Sequence, residues 1–275
     1  MENKLILAAN QSQQIIEYDD DEHLSVGAMN TEIVINENAS LELYILQNVN
    51  DEASIAKDFK IKQLANSRLK IVVVSFNGGD VRNSYTVDLD GEGAETEIYG
   101  LYLVDKKQHT ENHLKVNHNV PHCTSNEKFK GILDDEATAV FNGHVYVAPG
   151  AQKTDAQQNN SNILLTSTAK INTQPFLEIY ADDVKCSHGT STGQLDQEAM
   201  FYMRQRGISK ANARMLLMYA FAAEVSNHIG NDMLREHIDD MIKRRLRGEL
   251  SSCETCVLRC SHPKEYNFDI DYSKI

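Results

Sequence analysis

The stretch Asp134-Asp135-Glu136-Ala137-Thr138-Ala139-Val140-Phe141-Asn142-Gly143-His144-Val145-Tyr146-Val147 decides the fold of this chain. It opens with a short polar corner that ends in alanine, and apolar and polar residues then alternate over residues 141–147. Alternation at a period of two predicts a β-strand with one buried face. The polar corner marks the place where the chain turns into that strand.

The same unit, a corner followed by a short strand, recurs along the chain. Similar corners stand at Glu37-Asn38-Ala39-Ser40, Gly91-Glu92-Gly93-Ala94 and Ser167-Thr168-Ala169, and Asn77-Gly78-Gly79 is a strong turn signal. Recurrent corners before short strands indicate a stacked solenoid such as a β-helix. The period is irregular, so a sandwich or jelly roll remains the alternative on pattern alone. Further β-rich runs lie at 41–45, 69–73, 98–104, 163–165 and 176–180.

The pattern changes after Gly193, where apolar residues recur at helical spacing in three segments. Ser209 can cap the second helix, and Asn231 or Asp232 can cap the third. Glycines end the three segments, in the order Gly207, Gly230 and Gly248. We therefore expect a mainly β chain with a β-helix core at 1–185, a small helical region at 186–250 and a cysteine-containing tail at 251–275.

Composition excludes several classes of function. The net charge of −13 argues against binding nucleic acid or an anionic membrane, both of which need a basic surface. The sequence has no apolar run that could span a bilayer and no secretory signal, so we expect a cytoplasmic protein. It has no phosphate-cradling motif, so we expect no nucleotide to bind this chain.

The five cysteines are an odd number, which favours free thiols or metal ligands in a reducing compartment over disulfides. Cys186 and His188 stand two residues apart, and on a strand their side chains would share a face. A thiol and an imidazole together suit soft or borderline metals. The alternative is a buried small hydrophobe beside a hydrogen-bonded histidine.

The last part of the chain contains a second candidate metal site. Cysteines spaced by three and four residues lie on one helical stripe with a histidine close behind, and they could bind zinc or an iron–sulfur cluster. The alternative is a thiol-rich tail without metal. The four residues are Cys253, Cys256, Cys260 and His262.

A third cluster places histidines at two spacings of four residues. If the segment is β-structure, each pair shares a face and does not chelate, and hydrogen-bonded structural histidines are the simpler interpretation. The residues are His109, His113, His118 and His122, with Cys123 following.

Several ordered motifs together carry a family resemblance. They are Gln108-His109, His118, Pro121-His122-Cys123-Thr124-Ser125, Lys130-Gly131, Phe141-Asn142-Gly143, Gln152-Lys153-Thr154-Asp155-Ala156-Gln157, Asn162-Ile163-Leu164-Leu165, Leu177-Glu178-Ile179-Tyr180 and the segment 181–208. In these the chain resembles the SufB/SufD family of the SUF iron–sulfur cluster assembly system. Asn159-Asn160-Ser161-Asn162 stands where SufB-like chains carry a functional cysteine, so the chain is more similar to SufD members.

The resemblance implies a right-handed parallel β-helix followed by helices. It also implies a non-catalytic subunit of a cytosolic SufB–SufC–SufD complex, in which a transient iron–sulfur cluster forms at the SufB interface. His188 matches the histidine implicated there, and Cys186 is its neighbour in the motif. Docking of the SufC ABC-type ATPase is implied for the helical region, including Gln194, Phe201, Tyr202, Arg204, Arg206, Gly207 and Ile208.

The resemblance leaves three further expectations. Without SufB the chain could form a homodimer, because β-helix edges are unpaired. Family members have a longer segment before the β-helix, so we expect this chain to be a short homologue or a truncated form. Two other functions compete with the assembly role: metal binding or trafficking through the C-terminal cysteines, and a β-helix enzyme acting on polysaccharide. The latter is disfavoured because the chain has no Trp and only 7% aromatic residues.

Overall fold

A computed structural model describes residues 2–20 and 28–247 of the chain. Within those residues it shows fourteen β-strands followed by three helices. The strands are β1 Glu2–Leu7, β2 Ser12–Asp20, β3 Ala28–Ile35, β4 Ser40–Asn48, β5 Ser54–Gln63, β6 Arg68–Asn77, β7 Asp80–Leu89, β8 Glu95–Val104, β9 His109–His118, β10 Thr124–Leu133, β11 Thr138–Val147, β12 Asp155–Leu164, β13 Lys170–Ile179 and β14 Lys185–Gly193. The helices are α1 Gln197–Gln205, α2 Lys210–Ser226 and α3 Asp232–Arg247.

The strands form two parallel sheets that face each other. Odd-numbered strands make one sheet and even-numbered strands make the other, and each strand pairs with the strand two positions along the chain. One odd and one even strand therefore form each coil of a β-helix. This confirms the predicted solenoid and excludes the sandwich and jelly roll, whose sheets are antiparallel. Coil length varies, since Ser54 pairs with Asp80 but Thr138 pairs with Lys170, which explains the irregular period.

The corners between odd and even strands repeat one backbone conformation. A residue with positive φ stands at each such corner from β1–β2 to β11–β12, and asparagine and glycine tolerate this region well. Its backbone N–H donates to a carbonyl of the next coil, as from Asn38 to Ala65 (2.9 Å) and from His122 to Gln152 (2.9 Å). The stacked positions are Asn10, Asn38, Asn66, Gly93, His122 and Lys153.

A small buried side chain follows most of these corner positions. Because the coils stack closely there, only small groups fit between the two sheets. Cys123 occupies this position in its coil, is fully buried, and donates its thiol to the Gly91 carbonyl at 3.4 Å. Burial also raises the pKa of the Cys123 thiol. Cys123 is therefore a structural corner residue, equivalent to Ala39, Ser67, Ala94 and Thr154 in other coils.

The helices cover the outer face of the even-numbered sheet. Strand residues such as Tyr44, Val72 and Leu101 pack there against Ala222 and Ile242 of α2 and α3. Both faces of these even strands are buried, so β6 and β8 read as nearly continuous apolar runs. The helices are thus joined to the β-helix through a shared hydrophobic core.

The start signals predicted for the second and third helices are confirmed. Ser209 caps α2, and its hydroxyl accepts the Asn212 N–H at 3.2 Å. Asn231 precedes α3 and accepts the Leu234 N–H at 3.1 Å. The end of α2 was predicted too late, because the helix stops at Ser226 and not at Gly230.

The β-helix extends further along the chain than the core predicted at 1–185. Its first strands, β1 and β2, lie within the predicted range. β14 pairs with β12 over Lys185–Gly193, so the last coil extends past the predicted boundary at residue 185. The polar run of residues 155–162 forms most of β12, although its sequence lacks apolar alternation.

Candidate functional site

The C-terminal end of the β-helix is open among the described residues. β13 and β14 form the last coil, and each pairs with one strand only, β11 and β12 respectively. Edge strands of this kind present unpaired backbone groups that can pair with another chain. Aromatic side chains stand on the outer surface beside this edge, with Phe176 56% and Tyr180 57% exposed.

His188 and Cys186 lie on this last strand, on the side that faces the β-helix interior. Their in-register partners on β12 are Gln158 and Ala156, which are both buried. No described coil covers β14, so His188 is exposed, whereas Cys186 is half-buried against a small apolar cluster. The two side chains therefore share a face, as the strand interpretation predicted. Burial raises the pKa of the Cys186 thiol, which disfavours the thiolate that metals bind.

The interior of the even sheet changes from apolar to polar toward this open end. Side chains that point inward stack in columns, because parallel neighbours in register share a face. One column is apolar in the early coils and polar in the last three. Its members, in order, are Ile15, Leu43, Ile71, Ile98, Glu127, Gln158 and His188.

Glu127 is the only carboxylate in this column. Its side chain is fully buried and accepts a hydrogen bond from Gln158 Nε2 at 2.5 Å. Burial away from water raises the pKa of Glu127 to about 7, and the bond from Gln158 only partly opposes this. Neither residue belongs to a recognisable motif in the sequence, and the register of the coils places them behind His188.

A second polar group fills the interior beside this column. The Tyr102 hydroxyl donates to Asn162 Oδ1 at 2.5 Å, and Asn160 Nδ2 donates to the Tyr102 oxygen at 3.2 Å. Gly131 makes room for them, since a Cβ there would lie 2.1 Å from the Tyr102 ring. The Lys130-Gly131 and Asn162-Ile163-Leu164-Leu165 motifs thus meet inside the β-helix.

The Glu127→Gln variant should remove a pH-dependent loss of stability. Because the folded-state pKa is raised from 4.5 to about 7, the stability contributed by the neutral carboxyl is fully present below pH 4.5 and is lost as the pH rises through 7. The variant has no charge to bury, so we expect it to be more stable than the wild type at pH 8 by about 3 kcal/mol. At pH 4.5 the two proteins should differ little.

Urea unfolding of both proteins at the two pH values measures this effect. His118 has the opposite effect on the pH dependence of stability. Burial lowers its pKa to about 4, so the stability that the neutral imidazole contributes is present above pH 6.5 and is lost as the pH falls toward 4. Both proteins contain His118, so their difference at each pH isolates Glu127. If the free energies of unfolding of the two proteins change equally between the two pH values, ionisation of Glu127 does not destabilise the folded protein.

The residues for which SufC docking is implied lie mostly on or beside α1. Phe201 and Tyr202 are 65% and 60% exposed, which is unusual for large aromatic side chains on a helix. The Arg206 guanidinium lies 5.2 Å from the centre of the Tyr202 ring. Gln194, Arg204 and Gly207 are exposed and Ile208 is half-buried. Together these residues form an exposed aromatic and basic surface, which we call the α1 surface.

The structure does not bring the histidine cluster together. His109 and His113 lie on the outer face of the odd sheet, and their Nε2 atoms lie 2.8 and 3.0 Å from the two oxygens of Glu111. These bonds hold the pKa of Glu111 at about 2. His118 points inward and is buried against Ser125, while His122 occupies a corner.

No group of three or more His, Cys, Asp or Glu side chains within 2–20 and 28–247 is arranged to hold a metal ion. The candidate tail site of Cys253, Cys256, Cys260 and His262 lies outside the described residues. No helix in the described part of the chain is long and apolar enough to cross a membrane.

By its fold the chain is a parallel β-helix protein. Its last described coil is open, and its helices pack on one of the two sheets. The family model described as "SUF system FeS cluster assembly, SufBD core domain" matches residues 1–221. The chain therefore belongs to the SufBD family of iron–sulfur cluster assembly proteins.

Two similar curated proteins are iron–sulfur cluster assembly proteins by name. The iron–sulfur cluster assembly protein SufD of Escherichia coli is 39% identical over 171 residues, which is 62% of this chain and 40% of that protein. A SufBD family iron–sulfur cluster assembly protein of Synechocystis is 34% identical over 226 residues, 82% of this chain and 47% of the relative. The alignments thus cover less than half of these two relatives.

Proposed function

We propose that this chain is a SufD-like, non-catalytic subunit of a cytoplasmic SufB–SufC–SufD complex that assembles iron–sulfur clusters. The observation that carries the proposal is the exposed His188 on the uncovered last coil of a SufBD-family β-helix. The cluster is the cargo of this complex, and it forms transiently where this coil meets SufB.

The open end supports the pairing with SufB. β13 and β14 each have one free edge, and a partner β-helix can continue both sheets by pairing with them. The exposed Phe176 and Tyr180 would be covered in such a complex, and aromatic anchors commonly dominate binding energy. A second copy of this chain could occupy the same edges when SufB is absent.

His188 supports the role in cluster formation. An imidazole is a ligand for iron, and its exposure at an edge leaves room for ligands from a second chain. The described residues supply no complete ligand set, so the site would be shared across the interface. A shared, exposed site also allows the cluster to leave, which an assembly scaffold requires.

The α1 surface supports docking of SufC. Its exposed aromatic and arginine side chains are of the types that dominate binding at protein interfaces. α1 contacts α2, and α2 packs on β8 and β10. Movement of SufC during ATP hydrolysis would thus reach the β-helix through the helices.

Co-expression with SufB and SufC tests the proposal. We expect all three chains to co-purify, and we expect the double variant Phe201→Glu and Tyr202→Glu to lose SufC while keeping SufB. Loss of two aromatic side chains that SufC would cover should weaken SufC binding by at least about 100-fold. Met233, which is 83% exposed on α3, provides a control through Met233→Glu. Failure of the wild-type chain to retain either partner would contradict the proposal.

A further inference from the structure

The interior of the β-helix contains a buried carboxyl and amide that the proposed function does not use. Glu127 lies in one coil and Gln158 in the next, and Gln158 Nε2 donates to Glu127 Oε2. Gln158 is 3% exposed, so the last coil covers it. Among the described residues, Gln158 Oε1 is buried and has no hydrogen-bond partner. A buried acceptor without a donor costs about 1–3 kcal/mol, so its position requires an explanation.

Gly143 fixes the orientation of the Gln158 amide. This residue points inward from β11 of the opposite sheet, where a Cβ would lie 2.3 Å from Gln158 Nε2 and 2.5 Å from Oε1. The amide therefore lies directly against the glycine backbone. Its nitrogen donates to Glu127 in the preceding coil, so the amide oxygen lies on the other side of the amide carbon from that bond. The residue in register with Gln158 in the last coil is His188.

We propose that Glu127 and Gln158 are positioning residues for His188. Glu127 holds the Gln158 amide in one orientation, and Gln158 Oε1 accepts a hydrogen bond from one imidazole N–H of His188. This bond selects one tautomer and leaves the other ring nitrogen free to bind a ligand at the open end. The inference rests on the proposed role of His188 and names the residues that would prepare it.

A buried hydroxyl of the last coil is the competing partner for the amide oxygen. Thr173 points inward from β13 of the last coil, and its Oγ1 is also buried without a partner among the described residues. If Thr173 donated to Gln158 Oε1, His188 would be unconstrained. The variant Thr173→Val removes this hydroxyl at nearly constant shape and therefore separates the two arrangements.

Nitrogen NMR of the full chain, labelled with ¹⁵N in its histidines, tests the inference. The measurement is made at one pH at which the imidazoles are neutral, without iron, sulfide or a partner, and His188→Gln assigns the signal. His237, an exposed residue of α3, is the internal reference for an unconstrained imidazole. We expect the tautomer ratio of His188 to differ from that of His237 by about fivefold, the effect of one net hydrogen bond.

Two substitutions should abolish this difference. Gly143→Ala displaces the amide, and Gln158→Leu removes the acceptor, so both should bring His188 to within about twofold of His237. Gln158→Asn, whose shorter amide cannot make both contacts, serves if either variant fails to fold by circular dichroism. Thr173→Val should leave the ratio unchanged.

The inference is overturned if His188 and His237 have equal tautomer ratios in the wild type. It is also overturned if the difference between the two ratios persists after the Gln158 amide is removed. Because the measurement needs no partner or cluster, its result is independent of whether SufB or SufC binds.

Discussion

Replacing Arg245 by methionine is expected to destabilise the protein by about 3–5 kcal/mol, because the change removes the guanidinium that pairs with the buried Asp105 carboxylate. Both side chains are only 2% exposed. The guanidinium contacts Asp105 through Nη1–Oδ2 and Nη2–Oδ1, each at 3.0 Å, and its Nε donates to the Phe76 carbonyl at 2.8 Å. Arg245 thus joins α3 to β6 and to the loop after β8.

Urea unfolding at pH 7 measures this loss. Arg244 is exposed on the same helix, so Arg244→Met is the matched control and should change stability by less than about 0.5 kcal/mol. Adding Asp105→Asn to Arg245→Met should restore part of the lost stability, because it removes the buried charge that Arg245 balanced. If Arg245→Met and Arg244→Met are equally stable, the ion pair does not hold the helix.

Replacing His188 by alanine is expected to abolish cluster assembly while the complex with SufB and SufC stays intact. The side chain is exposed at the open end, so its removal creates no cavity and should hardly change folding. If it is a ligand, its loss leaves the shared site incomplete. Ser187→Ala, on the outward side of the same strand, is the matched control and should assemble clusters normally. Cys186→Ser should have a much smaller effect, since its half-buried thiol resists ionisation.

Much of the fold could be predicted from alternation and from the corners. The corner alanines Ala39, Ala94, Ala137 and Ala169 proved to be buried where the chain passes between the sheets. Strand pairing could not be predicted, because a period of two does not reveal the partner of a strand. The family resemblance supplied that information for the parallel β-helix.

The polar strand β12 shows why part of the fold could not be predicted from the sequence. Its inward residues are the amides Gln158, Asn160 and Asn162, which donate hydrogen bonds to Glu127, Tyr102 and Asn160 in that order, so the strand lacks apolar alternation. Buried polar groups of this kind are stable only when hydrogen-bonded, and their partners lie one or two coils away. Such contacts have no local signature in the sequence.

The candidate site could be predicted only in part. The spacing of Cys186 and His188 indicated a shared face, which the strand β14 confirms. Their roles as ligands remain predictions. The spacing of the two residues does not decide whether they bind a metal. Only the structure shows that the Cys186 thiol is half-buried and the His188 imidazole is exposed. The residues behind His188, Glu127 and Gln158, emerged only from the register of the coils.

The iron and acid-labile sulfide content of the purified three-chain complex tests the account most directly. Complexes containing the wild-type chain or His188→Ala are to be prepared in parallel under conditions that load the cluster. The account predicts equal amounts of SufB and SufC in both complexes, with iron and sulfide lowered at least about tenfold in the variant. Equal iron and sulfide in the two intact complexes would contradict it.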